Sequence, residues 1–141
     1  MTIDSIIKKY EGCKLQSYKC PAGIWTIGWG TTYYPDGTPV KRGETISQEI
    51  ADMLLDSYIK KNIEPVFDKI PYKLTDNQKC AIANLCYNVG VLSFLRSKCF
   101  DAVCKKDYAT IFKEWDWGAS QLKGLAIRRA HEKYLFLKDL K

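Results

Sequence analysis

Histidine is almost missing from this chain: His131 is the only one in 141 residues. The six cysteines (Cys13, Cys20, Cys80, Cys86, Cys99 and Cys104) include no close CxxC pair. Structural zinc sites draw on such pairs or on several histidines, so neither a metal site nor a cofactor is expected. No apolar run approaches the ~18 residues of a transmembrane helix, which argues against stable membrane insertion. Met1 to Tyr10 sets Asp4, Lys8 and Lys9 among isolated apolar residues, unlike a secretory signal. With no sign of an oxidising compartment, free thiols are expected, several of them buried as small hydrophobes. Repeats, low-complexity tracts and flexible linkers are also lacking.

What is present is an ordinary globular composition, 46% hydrophobic and 27% charged, which excludes disordered and fibrous architectures. The length suits a single domain over residues 1–141. Lys and Arg number 22 against 16 acids, a net charge of +6. Such an excess favours an anionic partner: nucleic acid, a membrane surface or a polymer such as cell wall.

Ile3, Ile6, Ile7 and Tyr10 recur at helical spacing, so a short helix is expected from Thr2 to Tyr10, stopped by Gly12. Glu11 then stands where the helix gives way to a turn. Residues 14–40 hold four glycines, three prolines and many aromatics, with turn signals at Pro21-Ala22-Gly23 and Pro35-Asp36-Gly37. A small antiparallel sheet of two or three strands is expected there, with Trp25 and Trp29 in its core. Helical patterning follows. Thr45-x-x-Gln48 has the form of a capping box, with Ile46, Ile50, Met53 and Leu54 as the buried stripe. Pro65 should kink or break that helix near residues 61–64. Thr75-x-x-Gln78 opens another, lined by Ala81, Leu85 and Val89 and closed by Gly90. Two or three short helices are expected over Ser97 to Trp115. A last one, from about Gly124 to Lys138, should turn Leu125, Tyr134, Leu135 and Leu137 inward. The fold class is α+β: a small sheet-bearing lobe over roughly residues 1–45 and a larger helical lobe over 46–141.

The informative stretch is Glu11 to Gly30, EGCKLQSYKCPAGIWTIGWG. Eight residues separate Glu11 from Cys20 and five separate Cys20 from Thr26. This string resembles the phage-type lysozymes, or endolysins, of glycoside hydrolase family 24, whose motif is Glu, eight residues, Asp or Cys, five residues, Thr. Gly12, Tyr18, Pro21, Gly23, Trp25, Ile27, Gly28 and Gly30 fit the same frame. The similarity continues through Thr45 to Leu55, Leu74-Thr75 with Gln78, Asn88-Val89-Gly90, Trp115 and the run GLAIRRAHE, Gly124 to Glu132.

The resemblance implies a lysozyme-like fold with the substrate cleft between the two lobes. It also implies cleavage of the β-1,4 bond between N-acetylmuramic acid and N-acetylglucosamine in bacterial peptidoglycan. Breaking that bond needs an acid to protonate the leaving oxygen while positive charge builds at the anomeric carbon. Glu11 matches the family acid, Cys20 the second catalytic position that is often Asp, and Thr26 the hydroxyl that helps place the attacking water. The family is generally inverting, so Cys20 and Thr26 are partners of that water rather than covalent nucleophiles. A free thiol has a pKa of about 8.5 and stabilises developing positive charge poorly unless it ionises. Tyr18 and Gly30 match cleft-facing, substrate-binding positions. Supporting parts fall to Arg128 or Arg129, which reach Glu11 from the last helix or form a solvated basic face, and to Asn88 at the cleft floor. His131 has no catalytic part.

The same resemblance implies a monomer that waits in the host cytoplasm, passes a holin-like pore and acts on the wall in the periplasm. Three readings stand beside it. A lytic transglycosylase uses the acid but excludes water, and a non-catalytic peptidoglycan-binding protein keeps only the fold. A nucleic-acid binder accounts for the charge but leaves the Glu-Cys-Thr frame unexplained, so peptidoglycan rather than nucleic acid is the expected partner.

Overall fold

Thr2 opens the first helix by a reciprocal exchange: its hydroxyl accepts the Ser5 N–H, and the Ser5 hydroxyl accepts the Thr2 N–H. In this computed structural model, which describes residues 1–117 and 123–140, that helix is α1, Ile3–Glu11. Gly12 ends it with a φ of 69°, a backbone region that favours glycine, and turns the chain directly into a hairpin. Strand β1 (Lys14–Lys19) pairs antiparallel with β2 (Trp25–Gly28). Isolated bridges, Gln16 to Thr45, Ile27 to Thr31 and Tyr33 to Pro39, extend this sheet without adding a regular third strand. Thr26, Ile27 and Gly28 of β2 are all buried, so both faces of that strand are covered. Trp25 is only half-buried, under the Lys19 ammonium. Trp29, beyond the strand end, packs against the main core and donates its indole N–H to Asp52 at 2.7 Å.

Helix α2 runs Gln48–Tyr58 and is capped by Ser47, not Thr45. Thr45 is held extended by its bridge to Gln16, so the helix starts two residues later and Gln48 becomes its first residue. The buried face changes with it. Ala51, Leu54 and Leu55 point inward, while Ile50 and Met53 are exposed. A π-helical turn, Ile59–Ile63, then relaxes the spiral just ahead of Pro65, whose missing N–H is tolerated in the first turn of α3, Glu64–Asp68.

The Thr75 capping box forms, and α4 (Asp76–Val89) runs to Gly90, whose φ is 97°. Every residue from Cys80 to Cys86 is buried, so α4 is the axis around which the others gather. Helices α5 (Val91–Leu95), α6 (Lys98–Lys105) and α7 (Tyr108–Glu114) follow, α5 falling before the region where short helices were expected. Helix α8 (Lys123–Leu137) lies along α4. Its inner face carries Leu135 and Phe136 but also Arg128, Arg129 and Glu132. Tyr134 points to solvent, contrary to expectation, and Leu125 and Leu137 are half-buried. Ile6 and Ile7 of α1 join the same core as α4, Trp115 and Phe136. Cys80, Cys86 and Cys99 are buried there as free thiols.

Candidate active site

The carboxyl of Glu11 is fixed by the far end of the chain. Arg128 donates from Nη1 to Glu11 Oε2 at 2.7 Å, both side chains being largely buried. Its other terminal nitrogen, Nη2, donates to the Asn84 side-chain oxygen at 3.0 Å and lies 3.3 Å from the Asn84 carbonyl. The ring of Tyr10 lies below the guanidinium, 5.3 Å from its carbon. The second carboxyl oxygen of Glu11 faces Gly30. A Cβ added at Gly30 would stand 3.1 Å from Oε1 and 3.4 Å from the Tyr87 ring. Gly30 has a φ of 101°, so both its backbone and the space beside it call for glycine. Tyr87 is tied down by a 2.6 Å hydrogen bond to the Trp29 carbonyl.

The hairpin brings up the other side. Tyr18 is paired directly opposite Thr26, and Cys20 follows two residues after Tyr18. Cross-strand partners share one face of a sheet, and so do residues two apart along an extended strand. The phenol of Tyr18 is raised first by burial, then by the charges of Glu11 and Cys20. The Cys20 thiol is held below its ordinary value, first by the Ile24 backbone amide and further by the Ala22 amide and the Thr26 hydroxyl. Thr26 is buried, and its hydroxyl donates to the Ile24 carbonyl at 3.0 Å. With one proton, that hydroxyl serves either the carbonyl or the thiolate, and a lone pair stays free for a third partner.

A cavity of about 570 Å³ opens at Gly30 and Tyr87. Thr31, Tyr33 and Asp36 form one wall, and Tyr58 and Lys61 form the facing one. The π-helical turn contributes Lys61 to this wall.

The residues expected at the site therefore divide. Arg128 and Gly30 meet at Glu11, and Tyr18, Thr26 and Cys20 lie together on the hairpin. Arg129 and Asn88 bond to each other one layer away, with Arg129 donating to the Asn88 side-chain oxygen. His131 accepts from or donates to the Tyr10 hydroxyl at 2.6 Å, and burial lowers its pKa. Asn84 and Tyr87 went unremarked in the sequence, and Glu132 was noted there only as the end of the GLAIRRAHE run. Each lies on a helix face where a polar residue reads as surface or cap, and only the spacing Arg128, Arg129, Glu132 hinted at a charged inner face.

A small hairpin lobe, a helical body and a carboxyl at the helix end between them define a lysozyme-like glycosidase. The chain belongs to the phage lysozyme family, whose model, described as "Phage lysozyme", matches residues 8–132. It is similar to the endolysin of Acyrthosiphon pisum secondary endosymbiont phage 1, with 34% identity over 139 residues, spanning 93% of this chain and 92% of that protein. The endolysin of Salmonella phage P22 is 31% identical over 134 residues, with the same shares covered. Among solved structures, the endolysin from Escherichia coli O157:H7 phage FAHEc1 superposes with a TM-score of 0.81 at 29% identity, over 98% of this chain and 91% of that one.

Proposed function

We propose that Glu11 is the general acid with which this muramidase, a glycoside hydrolase of the phage lysozyme family, cleaves the β-1,4 bond between N-acetylmuramic acid and N-acetylglucosamine. The observation that carries the reading is the asymmetric hold on its carboxyl. Oε2 is taken by Arg128, while Oε1 is directed at Gly30 on the rim of the cavity. The free oxygen is the one that can hold a transferable proton where a glycan strand would lie.

In the proposed reaction Glu11 gives its proton to the leaving oxygen as the bond to the anomeric carbon breaks. Thr26 and the Cys20 thiolate hold a water on the opposite face of the sugar, and that water forms the new C–O bond. The proton it loses passes to the thiolate and then to solvent, and Glu11 is reprotonated from solvent. Tyr18 and Gly30 flank the sugar being cleaved. The electropositive chain, +6 overall, suits a polyanionic wall. Host lysis follows from wall cleavage; action as a monomer and access to the periplasm through a holin-like pore belong to the same proposal. Lysis on co-expression with a pore-forming protein, and none without it, is the result expected for that route.

Purified peptidoglycan digested by wild type and by Glu11→Gln tests the chemistry, with products identified by mass. Hydrolytic products from wild type and a loss of roughly 10²–10⁴-fold in the variant are expected. Products lighter by one water would instead show a lytic transglycosylase. An undiminished Glu11→Gln would remove Glu11 from the reaction.

A further inference from the structure

We propose that Glu132 is a positioning residue for cleavage: its buried carboxylate orients Asn84 and Arg128 together, and through Arg128 it sets the Glu11 carboxyl. The proposal rests on the reading of Glu11 as the acid.

Glu132 is fully buried on α8, four residues after Arg128 and three after Arg129. Those spacings put all three charged groups on one helix face. Oε2 accepts from the Asn84 amide nitrogen at 2.6 Å and lies 3.7 Å from Arg128 Nε. Oε1 accepts from the Trp115 indole at 3.1 Å and faces Arg129 Nη1 at 3.1 Å, an ion pair too bent to be a hydrogen bond. Every contact is a donor or a cation. A carboxylate suits that ring, because it accepts at both oxygens and offers no proton.

Asn84 is the link that gives this ring a direction. An amide presents its NH₂ on one side and its oxygen on the other. Because the carboxylate of Glu132 can only accept, the NH₂ must face it, and the oxygen is left toward Arg128 Nη2 at 3.0 Å. Arg128, held there and by its attraction to Glu132, delivers Nη1 to Glu11. Were Glu132 replaced by an amide able to donate, Asn84 could turn over and offer NH₂ to a guanidinium that has no acceptor to return. A buried group of one acid and two arginines is in itself a poor source of stability, since its desolvation offsets its attraction. Orientation is what it supplies here.

The groups facing Glu132 come from five places. They are Tyr10 on α1, Asn84 and Cys86 on α4, Cys99 on α6, Trp115 after α7, and the two arginines of α8. Burial pushes its carboxyl up to about 7, against the pull of Arg129, Trp115, Arg128 and Asn84. The charge that orients Arg128 is therefore gained near neutral pH.

The test uses Glu132→Gln and Glu132→Asp in the whole chain, with soluble uncross-linked glycan strands as substrate. The Arg128 Nε–H resonance is followed by NMR, assigned from Arg128→Lys. Glu132→Gln should lower kcat about 10- to 100-fold with KM within about twofold, as expected for a misplaced but present acid. The Arg128 resonance should lose its single sharp position. Glu132→Asp, which keeps the charge, should recover several-fold of that loss. A folded Glu132→Gln with wild-type kcat, or with a lowered kcat but an unmoved Arg128 resonance, overturns the proposal. If Glu132→Gln does not fold, wild type decides: the Arg128 resonance and kcat must change together as Glu132 titrates, and an Arg128 signal indifferent to that titration overturns it equally. An active Glu11→Gln would defeat the acid assignment while the resonance still reported whether Glu132 holds Arg128.

Discussion

Arg128 and Glu11 meet at 2.7 Å although 117 positions separate them in the chain. Arg128 also serves both oxygens of Asn84 and the charge of Glu132, a set of directions that a planar guanidinium meets and an ammonium does not. Arg128→Lys should therefore stay folded but lose roughly 10²-fold in kcat, with KM little changed. Steady-state rates on soluble glycan strands check this. A lysine variant as fast as wild type would show that charge alone beside Glu11 suffices.

Gly30→Ala should act on the same carboxyl from the other side. The new Cβ would meet Glu11 Oε1 at 3.1 Å, at a backbone φ of 101° that alanine rarely adopts. A stability loss of about 1–2 kcal/mol is expected, larger than for glycines in ordinary conformations. Because the Arg128 contact should be disturbed as well, kcat should fall more than stability alone explains. Thermal unfolding and kcat measured on the same preparation separate the two effects.

Much of this architecture is local and so was legible. The Thr75 box and the Gly90 stop each depend on a few adjacent residues, and each formed; ahead of Pro65 the helix changes to a π-helical turn and continues unbroken into α3. Thr45 has the same local signature as Thr75 yet caps nothing, because pairing with Gln16 claims its backbone first. The inner face of α8 was hidden for a different reason. Apolar periodicity selects Tyr134, whereas Arg128, Arg129 and Glu132 are buried beside Leu135 and Phe136, with partners Asn84 and Trp115 from other elements. The spacing of Glu11, Tyr18, Cys20 and Thr26 was visible in the motif; the hairpin register that sets Tyr18 opposite Thr26 gives that spacing its shape.

Cys20 should behave as a reactive thiol. Its proton is released below the ordinary thiol value because the Ile24 amide, with help from Ala22 and Thr26, favours the thiolate. Burial pushes the thiols of Cys80, Cys86, Cys99 and Cys104 the other way. In a Cys13→Ser background, iodoacetamide should inactivate the enzyme with a rate that rises at lower pH than for a model thiol. Cys20→Asp should keep hydrolysis and resist the reagent, whereas Cys20→Ala should be much slower. Full activity in Cys20→Ala would reduce Cys20 to a packing role.

Stability should carry the mark of Glu132. Its folded value of about 7 lies above its ordinary 4.5, so between those limits the folded state binds the proton more tightly than the unfolded one. The contribution is therefore present below about pH 4.5 and lost as pH rises through about 7, up to roughly 3 kcal/mol over that window. His131, lowered by burial, works in the opposite sense. Comparing the unfolding free energies of wild type and Glu132→Gln across pH 5 to 8 isolates the acid. The difference between them should tilt toward the variant as pH rises, and a level difference would show that Glu132 is already ionised at pH 5.

The pairing of Glu11 with Arg128 also bears on the order in which the molecule is made. A ribosome releases α1 and the hairpin well before α8, so the Glu-Cys-Thr frame first emerges without the arginine that holds Glu11. A nascent or prematurely terminated chain lacking α8 has every residue of the Glu-Cys-Thr frame and no means of aiming it. For an enzyme that breaches a cell wall, the emergence of α8 is on this reading the step that arms it.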